Sequence, residues 1–347
     1  MSEKAMLLSG WADEAGVITA VCHARPDGDA AGCVTAVVSY LRECRGKDAV
    51  MILPESVPET LGFVFGGNTP LTASSEPQAA RDRLARTDLL ICLDFNTFSR
   101  TEELEDALRS CPGRKVLIDH HEAPDIQSFD LCFSDTQVSS ACELLYRLLL
   151  EMPDIRGDAS RLPALAAAAL MTGMTTDTNN FANSVFPGTL QMASELLAAG
   201  VDRKAIIDHL YFCERPNRLA AQGEMLSQRM KLLPCGAAVT VLRKDFFERH
   251  ALLDGETEGF VNLPLTVAQV RLSILAREED GRFRVSVRSK AGVSARELAT
   301  GFLHGGGHEQ ASGGKILIPE DVPSPADAEA WLESVTARFM REKYSVQ

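Results

Sequence analysis

The segment VLIDHHEAPD, residues 116–125, carries the pattern that decides the fold of this chain. A strongly apolar run leads directly into Asp119, His120 and His121, and the segment stops at Pro124. A short apolar run bounded in this way predicts a buried strand. Its polar end is either a loop rich in titratable groups or one wall of an active site. The rest of the chain has to distinguish these two interpretations.

Short apolar runs alternate with helical segments through the first two hundred residues. Strands are predicted at residues 17–22, 49–54, 88–94 and 115–119. Helices are predicted at residues 30–44, 101–110, 138–150 and 187–200. Strands that alternate with helices form parallel sheets covered by helices. The pattern therefore predicts an α/β fold with a doubly wound, mainly parallel sheet.

The character of the sequence changes after about residue 205. Connecting helices are interrupted at Pro216, and strand-like segments follow at residues 237–243, 270–278 and 283–290. Turn residues separate these strands, and no internal repeat is evident. The second half is therefore predicted to form a smaller α+β domain.

Length, charge and cysteine usage limit the class of protein. A chain of 347 residues is long enough for two domains, and its net charge of −13 argues against a wide basic surface for duplex nucleic acid. Nine cysteines without a CxxC pair indicate free thiols in a reducing compartment. There is no signal-peptide pattern and no apolar run of about 18 residues. We therefore expect a cytoplasmic protein without a membrane partner.

Acidic and histidine side chains gather where the predicted strands end. Three of the four clusters directly follow the last apolar residue of a strand, and the fourth ends a helix of small residues. The candidate residues are His23, Asp27, Asp29, Asp94, Asp119, His120, His121 and Asp177. Because the carboxyl ends of strands face the ligand crevice in open α/β sheets, we expect the clusters to converge in space.

The residue types indicate a metal site for hard divalent ions. Two imidazoles and four carboxylates, without a thiolate, suit Mn²⁺ or Mg²⁺ better than structural zinc. The predicted ligands are His23, Asp27, Asp29, Asp94, His120 and Asp177. These are too many for one ion, but they suit two ions that share a carboxylate. Two such ions can activate water and stabilise displacement at phosphorus.

Each acidic residue also has a simpler interpretation. An aspartate at the end of a strand is often a helix cap or a solvated loop residue, and Asp177 could hold an Asx-turn. Two adjacent histidines point in different directions, so one of His120 and His121 is expected to be a ligand. The joint occurrence of four clusters at matching places favours the metal site.

A second cluster lies in the segment VSVRSKAGVSARELATGFLHGGGHEQASGG, residues 285–314. A strand delivers Arg288, Ser289 and Lys290, and a helix then leads to Gly305, Gly306, Gly307 and His308. Arginine can bind phosphate through two hydrogen bonds, and consecutive glycines let backbone N–H groups approach an anion. An exposed basic strand and a glycine turn shaped only by packing are the alternatives.

Together these motifs resemble the DHH phosphoesterases. The resemblance rests on HxxPDGDAxG, a lone Asp after a strand, DHH, and a later Asp before Thr-Asn. RSK followed by GGGHxxAxG resembles the C-terminal DHH-associated domain, and ETEGFVN (256–262) is similar to a segment of these proteins. The likeness covers roughly residues 15–318 and is greatest for the bacterial nano-RNase/pAp-phosphatase type.

The resemblance implies three parts of the chain and a role for each candidate residue. Residues 1–205 would form the metal-binding catalytic domain, 206–225 a helical linker and 226–347 the substrate-binding domain, with the active site in the cleft between domains. His23, Asp27 and Asp94 would hold one manganese ion. Asp29, Asp94, His120 and Asp177 would hold the other.

For the remaining residues the resemblance implies contacts with ligands or substrate. Asp119 would orient the ligands, and His121 would assist the nucleophile or the leaving group. Arg288, Ser289, Lys290 and the Gly305–His308 loop would grip the substrate. This chain departs from the family at His304, which stands where the family has the first of four glycines; a side chain pointing to solvent is expected there.

The activity implied is hydrolysis of very short oligoribonucleotides, together with 3′-phosphoadenosine 5′-phosphate (pAp), through water activated by two manganese ions. Cleavage of cyclic di-AMP or its linear product pApA is the alternative within the class. Exopolyphosphatase or pyrophosphatase activity is less expected, because such substrates contain no nucleoside for the Gly305–His308 loop to bind. A non-catalytic nucleotide-binding regulatory module is the alternative from another class. A homodimer is expected by analogy with the family.

Overall fold

The computed structural model describes residues 3–253 and 255–344, and within them the chain forms two compact units. The first unit is Met1–Cys213 and the second is Glu214–Gln347. Residues 206–225 fall across this division, and their assignment as a linker stays a prediction.

The first unit is built on a six-stranded sheet in the order β3-β2-β1-β4-β5-β6. Every pairing in this sheet is parallel, as predicted. The strands are β1 (Val17–Val21), β2 (Asp48–Leu53), β3 (Leu71–Thr72), β4 (Leu89–Leu93), β5 (Arg114–Asp119) and β6 (Leu131–Ser134). Because β1 lies between β2 and β4, the order of the strands reverses at β1, where an open α/β sheet forms its crevice.

Helices cover both faces of this sheet. They are α1 (Glu3–Glu14), α2 (Gly28–Arg45), α3 (Pro77–Leu84), α4 (Glu105–Arg109), α5 (Ala141–Leu150), α6 (Ala164–Asp177), α7 (Pro187–Ala198) and α8 (Arg203–Tyr211). Ile91 packs in the hydrophobic cluster that contains α2, α5 and α6, whereas its neighbour Cys92 packs in the cluster that contains α3 and α4. Successive residues of β4 thus face opposite layers, which is the doubly wound arrangement predicted.

All four predicted helices differ slightly in their bounds, and two of them begin three or more residues later than predicted. The helix predicted from residue 138 begins at Ala141, because the side chain of Ser140 caps its first turn. The helix predicted at 101–110 is α-helical only over Glu105–Arg109. A 3₁₀ segment precedes it, in which Glu102 has a φ of 50°.

The second unit contains a six-stranded mixed sheet in the order β11-β12-β10-β9-β8-β7. Only β8 and β9 pair in parallel among the described strands. The strands are β7 (Met230–Leu233), β8 (Ala237–Leu242), β9 (Leu272–Glu279), β10 (Arg282–Ser289), β11 (Gly306–Gly307) and β12 (Ala311–Leu317). The helices are α9 (Pro216–Glu224), α10 (Lys244–Arg249), α11 (Ala295–Phe302) and α12 (Ala328–Tyr344). This is the smaller α+β domain predicted.

Each unit has its own hydrophobic core. In the second unit α11 and α12 pack with one set of sheet residues, and α9 and α10 pack with another that includes Leu242 and Leu275. Across the described part of the chain, no helix has the length and apolar character needed to cross a membrane.

Candidate active site

Three neighbouring strands of the first sheet bring candidate residues to one edge. His23 follows β1, Asp94 follows β4, and Asp119 is the last residue of β5. The strands pair in register, with Val21 opposite Cys92 and Leu93 opposite Ile118. The parallel sheet therefore places all three side chains at the same carboxyl edge.

Asp27 and Asp29 occupy the start of α2 and have different environments. The side chain of Asp27 is 59% exposed and caps the helix by accepting hydrogen bonds from the N–H groups of Asp29 and Ala30. The capping interpretation therefore holds for Asp27, whose second oxygen is left for another partner. Asp29 is 1% exposed, and its carboxylate accepts from the backbone of Ala141 and Cys142 at the start of α5.

The candidate ligands fall into two groups that meet at Asp94. Ligand atoms of His23, Asp27 and Asp94 all lie within 4.8 Å of one another, as do those of Asp29, His120 and Asp177. One Asp94 oxygen lies 3.4 Å from His23 Nε2, and the other lies 3.6 Å from His120 Nε2. His120 Nε2 is also 3.6 Å from Asp177 Oδ2.

The environment of Asp94 fits a carboxylate that bridges two cations. Asp94 is 2% exposed, and its Oδ1 has no hydrogen-bond partner among the described residues. A buried polar atom without a partner is unfavourable unless an ion or water satisfies it. The distances to the two imidazoles exceed the roughly 3 Å of an N–H···O hydrogen bond but suit two atoms that face a common ion.

The carboxylates repel one another in the absence of a cation. Burial raises the pKa of Asp94 well above its usual range, and the charges of Asp27 and Asp177 raise it further. Burial, together with the charges of Asp29 and Asp27, raises the pKa of Asp177 to about 8. Burial also lowers the pKa of His120, which favours the neutral imidazole that binds metals. These shifts indicate a site that gains stability from added positive charge.

Hydrogen bonds fix the orientation of two histidines. His23 Nδ1 lies 2.8 Å from the carbonyl oxygen of Ala24, to which it donates, so its Nε2 is free to act as a ligand. Asp119, fully buried, accepts from His121 Nδ1 at 2.7 Å and from the His121 backbone N–H at 3.2 Å. Asp119 therefore orients His121 rather than His120.

The sequence did not indicate the support behind Asp29. Glu143 is fully buried on α5, beside the residues whose N–H groups bind Asp29, but it lies 114 positions along the chain from Asp29. The serine pair before α5 signals a helix cap, whereas nothing in the sequence signals a buried carboxylate. Cys33 and Cys142 also lie near Asp29, with their sulfur atoms 3.4 Å apart. A Cβ on Gly173 would meet the Cys142 sulfur at 2.3 Å, so this region is closely packed.

In the second unit, Arg288 has an environment that suits an anion. Its guanidinium is half-buried, and among the described residues it donates to the backbone oxygens of Val287 and Ser312 alone. In the part of the chain that the structure describes, no carboxylate forms an ion pair with it. Burial lowers its pKa. A cation held in this way is available to a phosphate group.

The other predicted substrate contacts are engaged locally. Ser289 is buried and donates its hydroxyl to the carbonyl of Val293, and Lys290 donates to the carbonyls of Val267 and Ala268. Both contacts hold backbone segments in place. Access of Ser289 to a substrate therefore stays a prediction.

The glycine loop is shaped by close packing. A Cβ on Gly305 would lie 1.9 Å from the backbone oxygen of Gly313. Gly306 and Gly307 form β11 against β12, and the backbone N–H of His308 donates to Ala311. His304 is half exposed, and its Nε2 lies 3.0 Å from a carboxylate oxygen of Asp321. The His304 ring therefore contacts the turn after β12 and does not project freely into solvent.

Comparisons with known protein families identify the class of protein to which this chain belongs. Residues 17–174 match the DHH family, N-terminal domain, and residues 241–332 match the DHHA1 domain. The chain belongs to the DHH phosphoesterases that carry a DHHA1 domain, and it is a hydrolase that acts on phosphate esters.

Three known proteins are similar to most of this chain. The chain is 27% identical over 298 residues to the bifunctional oligoribonuclease and PAP phosphatase NrnA of Bacillus subtilis, covering 85% of this chain and 87% of the relative. It is 23% identical to the cyclic-di-AMP phosphodiesterase GdpP of the same organism, covering 82% of this chain and 43% of the relative. The crystal structure of an exopolyphosphatase-related protein from Bacteroides fragilis superposes with a TM-score of 0.89 at 29% identity, covering 99% and 100% of the two chains.

Proposed function

We propose that this protein hydrolyses very short oligoribonucleotides and pAp at a centre of two divalent ions, with manganese as the physiological metal. The observation that carries the proposal is Asp94, whose two buried oxygens face different groups of candidate ligands. The names of the NrnA relatives support the choice of substrate. Their similarity extends over more than four-fifths of both chains.

Each of the two groups of candidate ligands described above is proposed to hold one ion. His23, Asp27 and Asp94 would hold one ion, and Asp94, Asp29, His120 and Asp177 would hold the other. Bound there, the ions would supply a water nucleophile of lowered pKa and stabilise charge on the phosphate oxygens.

His121 is proposed to move the proton to the leaving ribose oxygen. The Asp119 carboxylate can only accept, so His121 carries a proton on Nδ1 and its Nε2 would take up a proton from the water nucleophile before passing it to the leaving oxygen. Asp119 is fully buried and accepts one hydrogen bond from the ring Nδ1 and one from the His121 backbone N–H, which together fix the direction in which Nε2 points.

Arg288, Ser289, Lys290 and the Gly305–His308 loop are proposed to contact the substrate. Arg288 supports this role best, because its half-buried guanidinium donates only to backbone oxygens within residues 3–253 and 255–344. A phosphate group would give it a charged acceptor. The homodimer and the cytoplasmic location remain predictions.

The test is a substrate panel with purified protein and manganese. We expect release of mononucleotides from a dinucleotide and of phosphate from pAp, with slower reaction on longer RNA, cyclic di-AMP, pyrophosphate and polyphosphate. Asp119→Ala and His120→Ala should each reduce the rate by at least a hundredfold. Glu122→Gln is the matched control, since Glu122 adjoins the same residues but is exposed.

Three results would change the proposal. Full activity in both alanine variants would show that the assigned site is wrong. A preference for cyclic di-AMP would favour the activity of the GdpP relative. Binding of a dinucleotide with manganese, without release of mononucleotide, would favour a non-catalytic nucleotide-binding module.

A further inference from the structure

Glu143 is a fully buried carboxylate whose hydrogen-bonding capacity is filled by donors. Its Oε2 accepts from the backbone N–H of Ser139 at 2.9 Å and from the Ser139 hydroxyl at 2.6 Å. The Thr189 hydroxyl donates to the same oxygen at 2.6 Å, and Arg147 pairs with the other oxygen. A buried charge is stable only when it is paired and hydrogen-bonded, so this arrangement holds Glu143 as a fixed acceptor.

The start of α7 is fitted against this carboxylate. Thr189 Oγ1 accepts from the backbone N–H of Phe186 at 3.1 Å, which leaves its own proton for Glu143. A Cβ on Gly188 would lie 2.7 Å from a Glu143 oxygen and 2.2 Å from the Arg147 guanidinium. Only glycine permits this approach, so the contact between α7 and Glu143 is a specific one.

The same carboxylate fixes the segment that binds Asp29. Ser139, which Glu143 holds, is followed by Ser140, whose side chain accepts from the Glu143 backbone N–H at 3.0 Å. The next two N–H groups donate to Asp29: Ala141 to Oδ2 at 2.6 Å and Cys142 to Oδ1 at 2.9 Å. Because adjacent donors bind both oxygens, the Asp29 carboxylate cannot rotate unless this turn moves.

We propose that Glu143, with Thr189, is a positioning residue for Asp29. By fixing the turn at residues 139–142, it sets the plane of the Asp29 carboxylate, which lies beside His120 and Asp177. One set of metal ligands is thereby held ready before a cation binds. The inference rests on the proposed function, since it assigns the support of one of the two proposed ion positions.

The loss of this support should weaken metal binding more than folding. A glutamine at position 143 cannot accept from every donor, because its amide NH₂ would face either Arg147 or the hydroxyl groups. The turn would then relax, and the Asp29 oxygens would no longer be fixed. Residues that orient metal ligands typically change affinity by about 10- to 100-fold.

The experiment is a calorimetric titration of the full chain with MnCl₂ alone. We expect two ions per wild-type chain, and a loss of at least about tenfold in affinity for one of them in Glu143→Gln and Thr189→Val. Thr189→Ser, which keeps the hydroxyl, should bind as the wild type does. Glu195→Gln is the matched control, since Glu195 accepts from Tyr146 of α5 but not from the 139–142 turn.

Kinetics provide a second measurement. With a dinucleotide substrate at fixed manganese, Glu143→Gln should lower kcat and leave KM within about twofold, and saturating manganese should restore part of kcat. A general loss of structure would instead lower the melting temperature of the metal-free chain without this metal-dependent recovery.

The outcomes separate the inference from the proposed function. A wild-type chain that binds no manganese would overturn both. A wild-type chain that binds two ions, with Glu143→Gln and Thr189→Val unchanged, would overturn the inference alone. If Glu143→Gln does not fold, the comparison of Thr189→Val with Thr189→Ser decides, because equal manganese affinities in that pair would refute the role.

Discussion

Asp94, the proposed bridging ligand, has an uncommon backbone conformation. Its φ is 61°, in the left-handed region, and its buried Oδ1 has no partner among the described residues. Non-glycine residues adopt this conformation at a cost, although aspartate and asparagine tolerate it better than most. The strand before Asp94 was predictable from its apolar run, whereas this turn of the backbone was not.

Asp94→Asn should stabilise the metal-free chain and remove its response to manganese. The charge on Asp94 is unfavourable because burial and the neighbouring Asp27 and Asp177 raise its pKa. Asparagine removes that charge and keeps the shape, so we expect the free energy of unfolding at pH 7.5 to rise by about 1–2 kcal/mol. Thermal unfolding in a chelator, and then with manganese, provides the measurement.

Glu122→Gln serves as the control for that experiment, because an exposed side chain should change neither value. A metal-free Asp94→Asn chain less stable than the wild type would contradict the account of repulsion among the carboxylates. A full manganese response in this variant would contradict the bridging position of Asp94.

At the scale of elements, the buried strands were the most predictable part of the fold. The sequence predicted 17–22, 88–94 and 115–119, and the structure has Val17–Val21, Leu89–Leu93 and Arg114–Asp119. Continuous apolar runs mark such strands because both faces of a parallel sheet are covered. Their ends predicted which candidate ligands meet, since the ends of neighbouring parallel strands share one edge.

Other elements could not be predicted from the pattern of apolar residues in the sequence. Strands β3 and β11 have two residues each, and β12 contains Gly313 and Gly314, which strands usually avoid. Packing explains Gly314, where a Cβ would lie 2.4 Å from the Leu303 backbone, whereas a Cβ on Gly313 would lie 3.3 Å from the Val285 backbone oxygen. The role of Glu143 was equally hidden, because it depends on contacts between distant segments.

Gly305→Ala should destabilise the second unit. The added Cβ would lie 1.9 Å from the backbone oxygen of Gly313, and backbone atoms can move away only if the pairing of β11 with β12 is disturbed. We expect a loss of about 2–3 kcal/mol in the free energy of unfolding. Gly301→Ala is the matched control, because nothing lies within 4 Å of a Cβ at this position in α11.

Urea denaturation of both variants measures the difference. Gly301→Ala should be neutral or slightly stabilising, since alanine favours a helix more than glycine does. Equal stability of the two variants would mean that β11 adapts to a side chain at residue 305.

Glu224, at the end of α9, should make stability depend on pH below 5. Hydrogen bonds from Arg229, with further ones from His250 and Arg249, lower its pKa from 4.5 to about 2. A carboxylate with a lowered pKa contributes stability that is fully present above pH 4.5 and is lost as the pH falls toward 2.

Comparison of the wild type with Glu224→Gln tests this contribution. The variant should be less stable by about 1–2 kcal/mol at pH 6, and the difference should shrink as the pH falls from 4.5 toward 2. Glu320→Gln, at an exposed position after β12, should match the wild type at each pH. A difference that stays constant with pH would show that packing, not charge, is the cause.

At the scale of the whole molecule, the separate cores predict two unfolding transitions. All six proposed metal ligands lie in the first unit, and Gly305 lies in the second. Manganese should therefore raise the temperature of one transition, whereas Gly305→Ala should lower that of the other. Differential scanning calorimetry of the full chain checks both effects. A single transition that responds to manganese and to Gly305→Ala would show that the two units unfold together.

The order of strands in the first sheet has a consequence for the lifetime of the folded state. Residues from β1, β4, β5 and the end of α6 meet only after segments between positions 23 and 177 have assembled. An unfolded or half-assembled chain offers no comparable set of ligands, so a cation bound there must leave before the sheet can open. Its main effect would fall on the rate of opening rather than the rate of assembly. A chain with cations bound at this site would resist proteases far longer than its equilibrium stability alone suggests.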